Sequence, residues 1–550
     1  MTNQPRATGV LIVGAGPIGL TLAIDLAWRG IDVTVVERRH AGEAPEPKCN
    51  HVSARSMEYF RRLGIAAKLR NVGLPEDYPN DVSYRTSFTG TEFARIHIPC
   101  RRDRYTDKSG PDGHWPTPEP PHRVNQTFLE PVLLEHAAAL PEIAILNRTQ
   151  IESFVQRDAE IVATARNLDT GETLRFASQY LVGCDGARST VRRAIGAQFE
   201  GDAVVQRVQA TFMCAPDLIR LQHGERSWMT VAVNPRRAGT VIAIDGRKRW
   251  LLFNHLRPGE RDFDAVDRDW AIRAILGVGP DFRYEILSKE DWYGRRLIAS
   301  KFREHRVFIA GDAAHIWVPF AGYGMNAGIA DAVNLAWLLA ARLKGWALPE
   351  ILDAYEAERR PITEQVSRFA MAHADREIER RGAIPSDIEL PGPEGDAVRV
   401  RIGQAAYDLN VQQFCCGGLN FGYFYDRSPI IVYDGAKQPA YTMAEFTPST
   451  VPGCRAPHFW LRDGRSIYDL LGPGYTLLCF DPKIATGTLE EAAARRAVPL
   501  EVVGVAGEDA PKVYRHRLVL VRTDQHIAWR GDALPDDRGA FIDLLRGARA

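Results

Sequence analysis

The chain has no net charge: Lys+Arg and Asp+Glu both number 69 among 550 residues. Without a basic excess, nothing points to nucleic acid or an anionic membrane surface as a partner. Nor is there an uninterrupted apolar run long enough to cross a bilayer; the one after Gly19 carries Asp25 and Arg29. The polar stretch from Met1 to Thr8 lacks a signal-peptide layout, so the expected compartment is the cytoplasm. The eight cysteines contain no C-x-x-C pair. That leaves zinc and dithiol chemistry without support, reads adjacent Cys415 and Cys416 as packed thiols, and predicts no metal site. Repeats and low-complexity tracts are absent as well. At this length one core does not suffice, and two to four domains are expected.

Glycine, by contrast, is present where it matters. The apolar run Val10-Leu11-Ile12-Val13 leads into Gly14-Ala15-Gly16-Pro17-Ile18-Gly19, and Leu20, Ala23, Ile24 and Ala27 follow at helical spacing until Gly30. A second apolar run, Val33 to Val36, ends at Glu37. This is a β-α-β unit. Gly14 permits a tight turn, Gly16 lets a pyrophosphate approach, and Gly19 lets the helix pack close to the strand. The helix N-terminus offers free N–H groups to the phosphates, and Glu37 is placed to accept from a ribose. The motif predicts a nucleotide but does not separate FAD from NAD.

Two later motifs make that choice. Tyr180 to Ser189 is a strand that turns at Cys184-Asp185-Gly186 into a helix, with Ser189 as its N-cap. Arg306 to His315 is a buried strand ending in Gly311-Asp312. Pro319 to Gly328 then opens a long helix through Leu339. An Asp at a strand end can hold a ribityl hydroxyl. A glycine-rich helix start can present N–H groups to the electron-rich pyrimidine edge of a reduced flavin.

In the order and spacing of these three motifs the chain resembles the single-component (class A) FAD-dependent aromatic hydroxylases, in the branch of phenol hydroxylase, 2-hydroxybiphenyl monooxygenase and polyketide hydroxylases. The resemblance implies an α/β chain with a para-hydroxybenzoate hydroxylase-like FAD-binding fold, an α+β substrate domain built on a β-sheet, and a thioredoxin-like C-terminal domain. It divides the chain into a discontinuous FAD-binding domain (1–80, 110–200 and 296–375), a substrate domain (81–109 and 201–295), a connecting segment (376–440) and the C-terminal domain (441–550). It also implies roles. Gly14, Gly16, Pro17 and Gly19 hold the pyrophosphate. Glu37 holds the adenosine ribose, with Arg38 beside it. Gln126 lies near the ribityl chain, Asp185 in the motif that touches FAD, and Asp312 at the ribityl or pyrophosphate region. Pro319 lies over the reactive face, and Gly324, Met325 and Asn326 reach the pyrimidine edge. Lys48 and Arg55 lie near the cofactor. The chain departs from the commonest family pattern at Ala321-Gly322-Tyr323, where many relatives carry Gly-Gly-Gln; Tyr323 is expected to pack.

Between the second and third motifs, Val204 to Leu256 reads as β-rich, with Trp228, Trp250, Phe253, Trp292 and Tyr293 as aromatics for a pocket or a sheet core. Arg380 to Glu394 reads as a polar connection, and the C-terminal domain, lacking C-x-x-C, is expected to be structural or to contact another subunit. The implied reaction uses NADPH or NADH and O2. A flavin C4a-hydroperoxide transfers oxygen to a small aromatic, phenolic substrate, in a protein that is a homodimer or higher homo-oligomer. A base for the phenol is sought at His51, with Tyr293 and Asp81 as comparable candidates; His315 is expected to be structural. A Baeyer–Villiger or epoxidising oxygenase acting on a polyketide or antibiotic is the alternative with the same cofactor. The W-x-W-x-I-P run of a halogenase is absent, and the intact cofactor motifs argue against a flavin-binding sensor.

Overall fold

The computed structural model describes residues 5–318, 322–506 and 509–548. Pro319 therefore lies outside the described residues. Within them, the strands form three sheets of eight, nine and four strands.

The eight-stranded sheet grows from the glycine motif. Strand β1 (Arg6–Val13) pairs in parallel with β2 (Val33–Val36) on one side and with Thr173–Gly183 on the other. Val307–Ile309 adds in parallel beyond Thr173–Gly183, and Ile143–Leu146 beyond β2. Val10, Leu11 and Ile12 are fully buried, as a parallel strand covered on both faces requires. Helix α1 (Pro17–Trp28) packs against Gln126–Ala138 and Tyr323–Leu343. All three sequence motifs thus converge at one end of the sheet, where the strands deliver their C-terminal ends.

The nine-stranded sheet carries the segment expected to cover substrate. Phe199–Cys214 is its long central strand, paired with Arg249–His255, Trp292–Ala299 and Glu285–Lys289. Val82–Arg85 and Glu92–Ile96 join at the far edge. Alternation along paired strands sorts the side chains into two faces. Gln206, Val208, Phe253, His255, Trp292 and Gly294 share one face; Arg207, Gln209, Asn254 and Tyr293 share the other. The first face turns toward the groove: a Cβ at Gly294 would meet Val318, the residue leading into Pro319, and the Gln206 side chain. Trp250 and Trp228 are core residues, the first donating to the Ala215 carbonyl at 3.1 Å and the second edge-on to Phe414.

The segment read as a connection, Arg380 to Glu394, links two helices through a short 3-10 turn at Ser386–Glu389. The helix Asp353–Gly382 runs through Arg380 and Arg381, and Pro393–Phe414 is a second helix, packed on Glu92–Ile96.

In the last sheet, Tyr475–Cys479 and Leu500–Gly504 are parallel and joined through the helix Gly487–Ala494. Leu518–Arg522 and Ile527–Gly531 add antiparallel, and Arg538–Leu545 closes the chain. This β-α-β-β-β-α order is thioredoxin-like. The unit is docked, since Tyr475 meets Trp337 and Trp346 edge to face. The turn after Arg522 also enters the larger body: Arg522 makes a two-pronged pair with Glu358, at 2.6 and 2.8 Å, with both side chains fully buried.

Candidate functional site: a glycine-lined groove

Each motif glycine shows a different constraint. Gly14 has φ +106°, and a Cβ there would lie 2.5 Å from the Cys184 carbonyl. At Gly19 a Cβ would lie 2.0 Å from the Gly14 carbonyl. At Gly16 and Gly324 a Cβ would meet nothing within 4 Å, so both backbones border open space. The helices that start beside them, α1 after Gly16 and Tyr323–Leu343 after Gly322, have glycine N-caps with no side-chain hydrogen bond. Helix α2 (Ala54–Arg62), Gln126–Ala138 and Thr190–Ala194 are instead capped by Ser53, Asn125 and Ser189. Two helix N-termini thus keep their first N–H groups for a ligand, one suited to a pyrophosphate and the other to an electron-rich ring edge.

Carboxylates and amides frame the groove. Glu37 accepts from the Ala15 N–H at 2.7 Å and from the Arg39 N–H at 2.9 Å. Arg39, rather than the exposed Arg38, turns inward: its guanidinium reaches Glu130 at 3.0 Å and the Ala15 carbonyl at 3.3 Å. Gln126 is tied to the same corner, donating its amide to Glu130 at 2.6 Å and its N–H to the Cys49 carbonyl at 2.7 Å. Asp312 follows Gly311 in a single helical turn and is open to the groove, yet protein surrounds it, and that desolvation raises its carboxyl above the ordinary range. Lys48 bridges Glu46 at 2.6 Å and Glu290 at 2.9 Å; these partners outweigh desolvation and raise its ammonium. It thereby pins the loop before α2 to the second sheet.

Other expected residues have structural duties. Asp185 accepts from the Thr190 N–H and hydroxyl at 2.7 and 2.9 Å and braces the turn beneath Gly14. Asn326 receives the Ser53 N–H and the Ser56 hydroxyl, each at 2.8 Å, and donates to the His51 and Gly322 carbonyls at 3.0 and 2.7 Å. With its amide fully engaged, only its backbone can face a ligand, and it ties the glycine-capped helix to α2. Met325 is half-buried at the same helix start. Tyr323 packs as expected, donating to the Leu419 carbonyl at 2.8 Å. His315 is structural, bonded at 2.6 Å to Asp331, which also holds Arg359.

Arg55 is a correction. Expected near the cofactor, its buried guanidinium turns to the C-terminal domain, reaching Glu58, the Gln525 side chain and the Asp524 carbonyl. Tyr293 is another. Strand alternation puts it on the face away from the groove, where it is 44% exposed and packs on Phe263 at 5.0 Å. Asp81 is consumed by the Ile98 N–H and Arg95, both at 2.8 Å. His51 is buried, with its imidazole against Gly322, the N-cap of the helix Tyr323–Leu343. Burial, then Arg123 and His122, hold it well below the ordinary histidine range, so the ring is neutral. Burial likewise raises the thiols of Cys415 and Cys416, the second to about 12, leaving both unreactive.

FAD fits this groove on the structure's own terms: two uncapped helix starts, two glycines facing open space, a desolvated Asp312, and Glu37 beside the first turn. Comparison with known proteins agrees. The FAD binding domain family model matches residues 7–370, and the model for the C-terminal part of aromatic-ring hydroxylases matches 449–546. FAD-dependent monooxygenase apdD of Emericella nidulans is 32% identical over 96% of this chain and 88% of its own length. Phenol 2-monooxygenase of Pseudomonas sp. strain EST1001 is 30% identical over 99% of this chain and 94% of its own. The solved structure of chromopyrrolic acid-soaked RebC with bound 7-carboxy-K252c superposes with a TM-score of 0.90 at 35% identity, covering 99% of this chain and all of that one. The chain belongs to the FAD-dependent aromatic-ring hydroxylases and is a flavoprotein monooxygenase.

Proposed function

We propose that the chain uses NADPH or NADH and O2 to place one oxygen atom on an aromatic, phenolic substrate lying between the groove and the inner face of the nine-stranded sheet. The observation that carries this reading is the meeting of two surfaces at Val318. The glycine-lined groove lies on one side; on the other, Phe253 and Trp292 stand edge to face at 6.2 Å beside Gln206 and His255. Bound FAD supplies the two-electron chemistry that links reduced nicotinamide to O2. The protein's own groups do the rest. Glu37 and Arg39 orient the adenosine end, Gln126 and Asp312 the middle, and the backbone at Gly324, Met325 and Asn326 the ring edge. Phe253 and Trp292 exclude water around the substrate ring. His51, neutral and packed beside Gly322, is a hydrogen-bond partner for the substrate hydroxyl. We read the remaining features as the family suggests: a cytosolic protein, homodimeric or larger, divided as the resemblance divides it.

The test is a panel of phenols, salicylates, biphenyls and polycyclic hydroxyarenes, scored for stimulated NADPH and NADH oxidation and for product mass. At least one ring hydroxylated in step with nicotinamide consumption is expected. Nicotinamide oxidation that no aromatic stimulates would defeat the reading.

A further inference from the structure

Resting on that hydroxylase reading, we propose that the substrate carries a carboxylate, or an equivalent anionic oxygen group, and that Arg381 with Arg380 receives it. Both arginines lie on the last turns of the helix Asp353–Gly382, within electrostatic reach of Tyr84 on the inner face of the sheet. One carboxylate serves the two of them. Glu377 accepts from Arg380 at 2.9 and 2.5 Å and from Arg381 at 3.1 Å, and no other acidic side chain pairs with either among the described residues. The side chains are 11% and 14% exposed and that of Glu377 is 3% exposed, so this place holds one positive charge more than it neutralises. Uncompensated charge out of water is costly unless a counter-ion arrives.

The two guanidiniums also have unused hydrogen-bonding capacity. In both arginines Nη1 is buried and lacks a hydrogen-bond partner. Among the described residues, two other arginines share that condition, Arg359 and Arg455, and each lies over aromatic rings. Among the described residues neither Arg380 nor Arg381 has such a ring. Both lie within electrostatic reach of Tyr84, and Arg381 also of His255, two side chains of the inner face. His255 is surrounded by protein yet keeps accessible surface, as do Phe253 and Trp292 beside it. The lining is therefore apolar for a ring and cationic at one end.

The arginines are also braced. Asn410 donates its amide to Glu377 at 3.3 Å and accepts from His373 Nε2 at 3.0 Å, which fixes the carboxylate that fixes them. A planar guanidinium held this way suits an oxyanion with two oxygens.

The experiment titrates holoenzyme carrying oxidised FAD with matched pairs, followed by perturbation of the flavin spectrum: salicylate and phenol, hydroxynaphthoate and naphthol, indolecarboxylate and indole. The carboxylated members should bind about tenfold or more tightly. Arg381→Met should erase the preference with FAD content unchanged, Arg381→Lys should restore part of it, and Arg380→Met serves if the first variant does not fold. Equal or weaker binding of the carboxylated members to the natural protein would overturn the inference, as would a preference that survives in folded Arg381→Met or Arg380→Met. If neutral members bind and stimulate nicotinamide oxidation without that preference, the anion assignment falls alone. If no member of either series binds, the hydroxylase reading falls with it.

Discussion

Gly14 and Gly16 stand two residues apart and are constrained by opposite things. Gly14 is held by its own chain, through a left-handed φ and the Cys184 carbonyl against it. Gly16 is held by nothing in the protein. Gly14→Ala is accordingly expected to destabilise the fold by about 2 kcal/mol or more, from strain and contact together. Gly16→Ala should leave the melting temperature of the apoprotein unchanged while weakening FAD binding. Apoprotein melting and FAD titration of both variants check this; equal behaviour would mean that Gly16 is not a cofactor contact. Tyr293→Phe, on the outer face, should leave turnover and FAD content alone. His51→Ala should lower hydroxylation with FAD content unchanged, and unaltered coupling and turnover would remove His51 from the site.

At the scale of elements, Asn326 fastens two helix starts at once. Asn326→Ala leaves the Ser53 N–H and the His51 and Gly322 carbonyls without that partner, an expected loss of about 1–3 kcal/mol. FAD affinity should fall with it, because the glycine-capped helix start loses its anchor; calorimetric unfolding with and without FAD reads both effects. The pattern of what the sequence disclosed follows from distance along the chain. The constraints on Gly19 and Glu37 were legible because they are met within one β-α-β unit, by the Gly14 carbonyl and the Ala15 N–H. That Arg39 rather than Arg38 turns inward depends on how the chain leaves β2, which spacing does not encode. Trp292 and Tyr293 were read together as aromatics for a pocket or a sheet core; as strand neighbours they face opposite ways, and only the packed sheet revealed which face meets the groove. Arg55 was misplaced because two of its partners, Gln525 and Asp524, lie some 470 residues away. Arg380 and Arg381 were hidden in a polar stretch whose burial depends on a sheet folded from other segments.

For the whole molecule, the C-terminal domain acts as a buried brace. Arg522 meets Glu358 and Asp524, while Arg55 and Arg455 both meet Glu58. Glu358→Ala strands Arg522 beside a single carboxylate and should cost about 3–5 kcal/mol. The same interface makes stability pH-dependent. Burial lowers His526 from 6.5 to about 3, and its ring stacks on Tyr425 at 4.1 Å. Its folded pKa is depressed, so between 6.5 and 3 the unfolded chain binds a proton that the folded one refuses. Stability is full above 6.5 and declines by about 1.4 kcal/mol per pH unit from this group as pH falls through that window. His526→Gln should flatten the slope of melting temperature against pH there; an unchanged slope would show that His526 is not the group responsible.

The central claim is oxygen insertion from O2 by a flavin held in the glycine-lined groove. It is tested most directly by turning over a stimulating phenol under oxygen-18 gas with the purified FAD-loaded protein and reading the product by mass. The account predicts one heavy oxygen atom on the ring for each nicotinamide consumed. Product oxygen drawn from water, or nicotinamide oxidised with only hydrogen peroxide formed across the whole panel, would contradict it.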